Sequence, residues 1–148
     1  MRTISLLLLA VLAAAPLPAA KRDLKITFLD VEGGQATLVV TPGGESLLID
    51  AGWPGNNGRD SDRIIAAARK AGLTKIDYLL VTHYHMDHVG GVPELAAKFP
   101  IGTLIDHGAN TETTRGAKEL EAGYQKVLAT GAKRLTVKPG DRLPLKDI

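Results

Sequence analysis

Three of the four histidines in this chain lie within six positions, at His83, His85 and His88, and Asp87 stands among them. A neutral imidazole and a carboxylate are borderline to hard ligands, a set that suits zinc and also admits manganese or iron. In an extended segment residues two apart face the same side, so His83 and His85 can reach one ion together. Asp87 and His88 fall in the turn that follows and can present both side chains to a neighbouring ion. Gly90 and Gly91 are expected to let the backbone bend there without side-chain clashes. Tyr84 and Met86 occupy the alternate positions and are expected to pack behind the site. A lone histidine at a strand end is ordinarily a satisfied structural residue, but four ligand-type residues packed this tightly point to a metal centre.

Two cations held side by side lower the pKa of a bridging water and polarise the bond to be cut, so the implied chemistry is hydrolysis by a metal-activated water. The chain contains no cysteine. Its metal ligands must therefore come from nitrogen and oxygen, and disulfides play no part. The formal net charge is only +2 and the basic residues are scattered, so charge gives no support to a nucleic-acid substrate.

The elements that must position these residues follow from periodicity. Residues 24–29, 36–41 and 46–49 read as strands, the last two joined by the turn Pro42-Gly43-Gly44. Leu47, Leu48 and Ile49 are consecutive apolar residues, which suits a strand covered on both faces. A helix follows, capped by Asp60 or Ser61, with Ile64, Ile65, Ala68 and Ala71 on one face and Gly72 at its end. The strand 76–81 runs directly into His83. Next come a short helix, 92–98, with Pro93 in its first turn, and the strand 103–105. The helix 113–130 carries Leu120, Tyr124, Val127 and Leu128 as one apolar stripe. Strands near 134–137 and 142–145 are expected to close the chain. Strands that open as an antiparallel set and then alternate with helices indicate an α/β fold, a mixed sheet with helices on its faces.

If the sheet is parallel at residues 103–105, His107 comes to lie beside the end of the motif's own strand, where ligands gather in open α/β sheets. It is a candidate contact to substrate or to a ligand from behind; the alternative reading is an exposed loop histidine. Trp53, Pro54 and the Gly/Asn loop after Asp50 are expected to form part of a pocket rim.

Arg2, the apolar run 4–15 and the small residues before Lys21 have the form of a secretory signal peptide over residues 1–20. The run is shorter than the ~20 residues a membrane span requires. The expectation is a secreted or periplasmic domain over 21–148 with no stable membrane anchor.

The segment Thr82-His83-Tyr84-His85-Met86-Asp87-His88-Val89-Gly90-Gly91 resembles the signature of the metallo-β-lactamase superfamily, T-H-x-H-x-D-H-x-G-G. The resemblance implies that His83 and His85 hold a first zinc ion and that Asp87 and His88 hold a second. It implies a catalytic role for Asp87 as well, orienting the nucleophile or accepting its proton. Asp50 matches the family's aspartate at the end of an early strand, which supports the metal site without touching the metal. Phe28-Leu29-Asp30-Val31 and Leu48-Ile49-Asp50-Ala51-Gly52 resemble the opening strands of the branch that includes the hydrolase domain of the bacterial DNA-uptake competence protein. Most of residues 24–108 is covered. That branch reads V-G-Q-G-D-A where this chain reads Val31-Glu32-Gly33-Gly34-Gln35-Ala36, so an acidic residue near Gln35 is missing and a nuclease role is not carried over.

The fold implied is the N-terminal half of an αββα sandwich. The family's bridging aspartate and further histidines belong to a second half that does not follow Leu145, and the late Asp141 and Asp147 sit in turn-like contexts. The chain is therefore expected to be an N-terminal portion, with residues 21–148 self-associating and inactive alone. The activity implied is metal-dependent hydrolysis of an ester, thioester, lactone, phosphodiester or β-lactam. The alternative is a non-catalytic metal-binding half-domain or subunit lacking the late ligands.

Overall fold

The structure is a computed structural model that describes residues 23–148. The expected signal segment lies outside the described residues. Six strands form one mixed sheet in the order β1-β2-β3-β4-β5-β6. β1 (Lys25–Phe28), β2 (Thr37–Val40) and β3 (Ser46–Ile49) are antiparallel. β4 (Ile76–Leu80), β5 (Ile101–Asp106) and β6 (Lys133–Thr136) then continue from β3 in parallel. The helices are α1 (Arg59–Lys70), the single turn α2 (Met86–Val89), α3 (Val92–Lys98) and α4 (Arg115–Ala129). Among the described residues no helix is long and apolar enough to cross a membrane.

Register places Leu38, Leu48, Leu79 and Leu104 side by side on one face. All four are buried in the main core with Ile64, Ile65 and Ala68 of α1, Val92 and Leu95 of α3, and Tyr124 and Val127 of α4. Each such leucine is a side chain whose truncation to alanine costs ~2–5 kcal/mol, so this layer holds the sheet and helices together. The other face carries Ile26, Phe28, Leu47, Ile49, Leu80 and Ile105. Leu47 and Ile105 are buried there, whereas Ile26 and Phe28 on the edge strand are 55% and 80% exposed. The tail after β6 returns to the β2–β3 turn, where the Lys146 N–H donates to Glu45 Oε2 at 2.8 Å.

Several local expectations need correction. α1 starts one residue before Asp60, with Gly58 in the left-handed conformation as its cap. The Asp60 carboxylate instead accepts the Trp53 N–H, and Ser61 Oγ donates to the Gly58 carbonyl. Ala71 is the exposed C-cap residue of α1 rather than part of its buried face. Residues 142–145 form no strand; Pro144 lacks a backbone N–H, so the segment is poorly suited to a ladder. α4 is capped by Thr114, whose hydroxyl accepts the Ala117 N–H at 3.2 Å.

Candidate metal centre

The motif begins where β4 leaves the sheet. His85 is the extended N-cap residue of α2, and Asp87 and His88 lie within that single turn. Rings two apart do share a side: His83 and His85 have centroids 4.5 Å apart, and His83 and His88 are 4.0 Å apart. Asp87 Oδ2 lies 3.5 Å from His88 Nε2. The three imidazoles and one carboxylate are thus gathered at the C-terminal edge of the parallel strands.

Asp50 is the hub behind them. Its side chain is fully buried, and it follows β3 with φ +58°, in the left-handed region. Aspartate tolerates that conformation better than most residues. The turn brings its carboxylate to the Thr82 N–H at 2.8 Å, the Thr82 hydroxyl at 2.7 Å and His88 Nδ1 at 2.8 Å. An ionised carboxylate can only accept, so beside one, His88 Nδ1 is the donor of this bond.

Backbone bonds lace the same corner together. The Ala51 N–H donates to the His88 carbonyl at 2.8 Å, and the Gln35 N–H donates to the Asp87 carbonyl at 3.0 Å. Gly34 packs so closely here that a Cβ would stand 2.6 Å from the Asp87 oxygen and 3.0 Å from the Trp53 indole nitrogen. Gly90 and Gly91 prove necessary for a different reason from the one expected. Both have ordinary right-handed helical dihedrals, and what a side chain would do at Gly91 is collide with the Ala51 carbonyl. The loop after Asp50 thus packs beneath the motif through Trp53 and Pro54.

His83 is held below the usual imidazole range, first by burial and then by repulsion from His88 and His85. It is therefore neutral near pH 7, the form that offers a lone pair to a cation. His85 is more exposed, and its Nε2 meets Glu112 Oε1 at 2.7 Å. Glu112 lies in the β5–α4 loop, 27 residues from His85, and nothing in its sequence context marks it. Tyr84 is buried, as its alternate position predicts, but Met86 is 46% exposed. α2 has already begun at Met86, so alternation no longer governs its direction.

His107 is exposed at the end of β5, which is parallel to β4 as expected. Its ring lies edge-on to Tyr84, with centroids 5.4 Å apart, whereas the rings of His85 and His88 each meet that of His83.

The chemistry of the donor set fits a borderline divalent cation: imidazoles with an adjacent carboxylate, one of them oriented from behind by a buried aspartate. Among the described residues, however, no three His, Asp or Glu side chains are arranged to hold an ion together. His85 is turned to Glu112, and His88 is divided between Asp50 and Asp87. The donors are assembled as pairs, and ligation requires some of these contacts to be exchanged.

The model of the metallo-beta-lactamase superfamily matches residues 29–147. A hydroxyacylglutathione hydrolase of Rhodopseudomonas palustris (strain HaA2) is 42% identical over 60 residues, 40% of this chain and 23% of that protein. A UPF0173 metal-dependent hydrolase of Anaeromyxobacter sp. (strain K) is 36% identical over 108 residues, 73% of this chain and 34% of that protein. The chain thus spans a quarter to a third of the length of these relatives. Its fold also matches the crystal structure of a Thermotoga maritima protein provisionally assigned as a metallo-beta-lactamase, with a TM-score of 0.53 and 19% identity over 81% of this chain and 60% of that one.

Proposed function

Since this chain belongs to the metallo-beta-lactamase superfamily, we propose that it contributes the first metal-binding segment of a zinc-dependent hydrolase acting on an ester or thioester. Lactones, phosphodiesters and β-lactams are further members of the substrate class that the fold hosts. The observation that carries this reading is the His83 ring with those of His85 and His88 at 4.5 and 4.0 Å from it, with Asp87 beside His88 and Asp50 behind it. Relatives named as a hydroxyacylglutathione hydrolase and as a metal-dependent hydrolase support it.

In this reading His83 and His85 hold one ion, and Asp87 and His88 a second. When bound, zinc supplies Lewis acidity and makes a strong nucleophile available at neutral pH. The residues of the chain prepare for this. Burial and its histidine neighbours keep His83 neutral. Asp50 fixes the tautomer of His88, and Thr82 fixes Asp50 with two hydrogen bonds. In the same reading Asp87, only partly exposed, orients the nucleophile or accepts its proton.

The test is turnover of activated ester, thioester and phosphodiester substrates with added Zn²⁺ or Mn²⁺. Metal-dependent hydrolysis is expected to fall ~100-fold or more in an Asp87→Ala variant, the scale on which a positioned acid–base group contributes. Turnover that survives this substitution would remove Asp87 from the mechanism.

The absence of a three-ligand group among the described residues favours a second reading, in which the chain is a portion that binds metal without catalysis until further ligands are supplied. Stoichiometric zinc without turnover would select it.

We further propose export to the periplasm or beyond. Protein recovered from an exporting host is expected to begin at Lys21 by intact mass. An exported fraction that retains Met1 would defeat the signal-peptide reading.

A further inference from the structure

Tyr84 stands between His83 and His85 and points the opposite way. Its side chain is 2% exposed, and its hydroxyl donates to the Gly108 carbonyl at 2.7 Å. The Gly108 N–H in turn donates to Asp106 Oδ1 at 2.8 Å. Both polar groups of this one glycine are therefore held, one by the motif segment and the other by the end of β5.

Asp106 is itself pinned. Oδ2 accepts from the Tyr124 hydroxyl and from Arg134 Nε, each at 2.8 Å, and Oδ1 also accepts from Arg134 Nη2 at 2.9 Å. The carboxylate is fully buried. The Arg134 and Tyr124 bonds nonetheless hold its pKa below the usual carboxylate range, against the opposing effect of burial. The Tyr124 ring closes the assembly, 5.8 Å from Tyr84 and inclined at 71°. The motif segment, β5, α4 and β6 each contribute a member.

A buried ion pair is a poor way to gain stability, since apolar side chains of similar volume hold a core as well or better. What a fully satisfied polar network supplies is one geometry in place of several. The geometry at stake is that of the metal motif. In an extended segment neighbouring side chains project to opposite sides, so fixing the Tyr84 phenol fixes the rotation that aims the flanking imidazoles.

We infer that Asp106, with Tyr124 and Arg134 behind it, is a positioning residue for His83 and His85, acting through Gly108 and Tyr84. The inference concerns the histidines of the proposed metal centre, but its first readout does not depend on metal.

That readout is the set of ring resonances of His83 and His85 in the 148-residue chain. Tyr84→Phe removes one hydroxyl and keeps the ring packing. Asp106→Asn weakens the latch at a carboxylate whose four hydrogen bonds go to Tyr124, Arg134 and Gly108, none to an imidazole. Ile64→Val, which trims the buried face of α1, controls for loss of stability alone. Both latch variants are expected to shift the two ring signals, and the control is expected to leave them in place. Titration with Zn²⁺ against a chelator is expected to show about tenfold weaker binding in Tyr84→Phe, as is typical for partners that orient ligands from behind.

A folded Tyr84→Phe variant whose ring signals coincide with those of the parent would overturn the inference, and it decides alone if Asp106→Asn does not fold. If the parent binds no Zn²⁺, the metal reading fails while the ring signals still decide this one.

Discussion

Replacing His83 and His85 together with alanine is expected to abolish stoichiometric zinc binding. The size of the effect follows from what is removed. Losing a partner that only orients a ligand lowers metal affinity ~10–100-fold; losing two direct donors must exceed that, because the remaining pair, Asp87 and His88, leaves the first ion without a protein ligand from this segment. The fold should tolerate the change. His85 is largely exposed and paired only with Glu112, and His83 lies at the surface edge of the motif, so neither anchors the leucine layer between sheet and helices. Unfolding midpoints near that of the parent are expected, since substitutions outside the core usually cost under ~0.5 kcal/mol. Elemental analysis of folded protein makes the measurement. A double variant that retains full metal content would show that the cluster is not the metal site.

Asp50→Ala is expected to damage both stability and metal binding. Alanine leaves the Thr82 N–H and hydroxyl and His88 Nδ1 without their acceptor; Thr82 is exposed and His88 partly so, so water replaces part of what is lost and the cost falls toward the low end of the ~1–3 kcal/mol of a fully buried donor. It also places an ordinary residue at φ +58°, a backbone state that persists only when its surroundings enforce it. A destabilisation of ~1–3 kcal/mol is expected, the range of most single substitutions that remove such contacts. Free of its acceptor, His88 can rotate and change tautomer, and zinc affinity should fall ~10–100-fold. Asp50→Asn separates the two effects. Asparagine tolerates the left-handed backbone and keeps the volume, so most of the stability should return. Its amide cannot replace both carboxylate oxygens, so affinity should stay low. Denaturant unfolding alongside a chelator competition reads both quantities, and an Asp50→Asn chain with parental zinc affinity would show that Asp50 is only structural.

Much of this was legible from local pattern. Alternation and apolar runs located the strands, and the stripe through Leu120, Tyr124 and Val127 located α4. The spacing of His83 and His85 marked the start of the cluster, because side-chain direction along an extended segment depends on position alone; Asp87 and His88 lie in the helical turn that follows. Pattern failed where a second element had to be present. Residues 142–145 alternate like a strand yet pair with none, and the glycines after His88 serve close approach rather than a bend, which only the position of Ala51 could reveal.

The sequence by itself determined which residues are candidate ligands for a cation, which family supplies the architecture, and where the motif leaves the sheet, since all three are written in residue type and short-range spacing. The tertiary structure alone decided what surrounds the motif. Asp50 reaches His88 across 38 residues of chain through a left-handed turn. Glu112 meets His85 because the β5–α4 loop folds over it. Tyr84 is tied to Asp106 through Gly108 because β4 and β5 run parallel in one register. Such contacts depend on strand order, register and backbone dihedrals, which are set by packing the whole chain and leave no periodic trace in any short stretch of it.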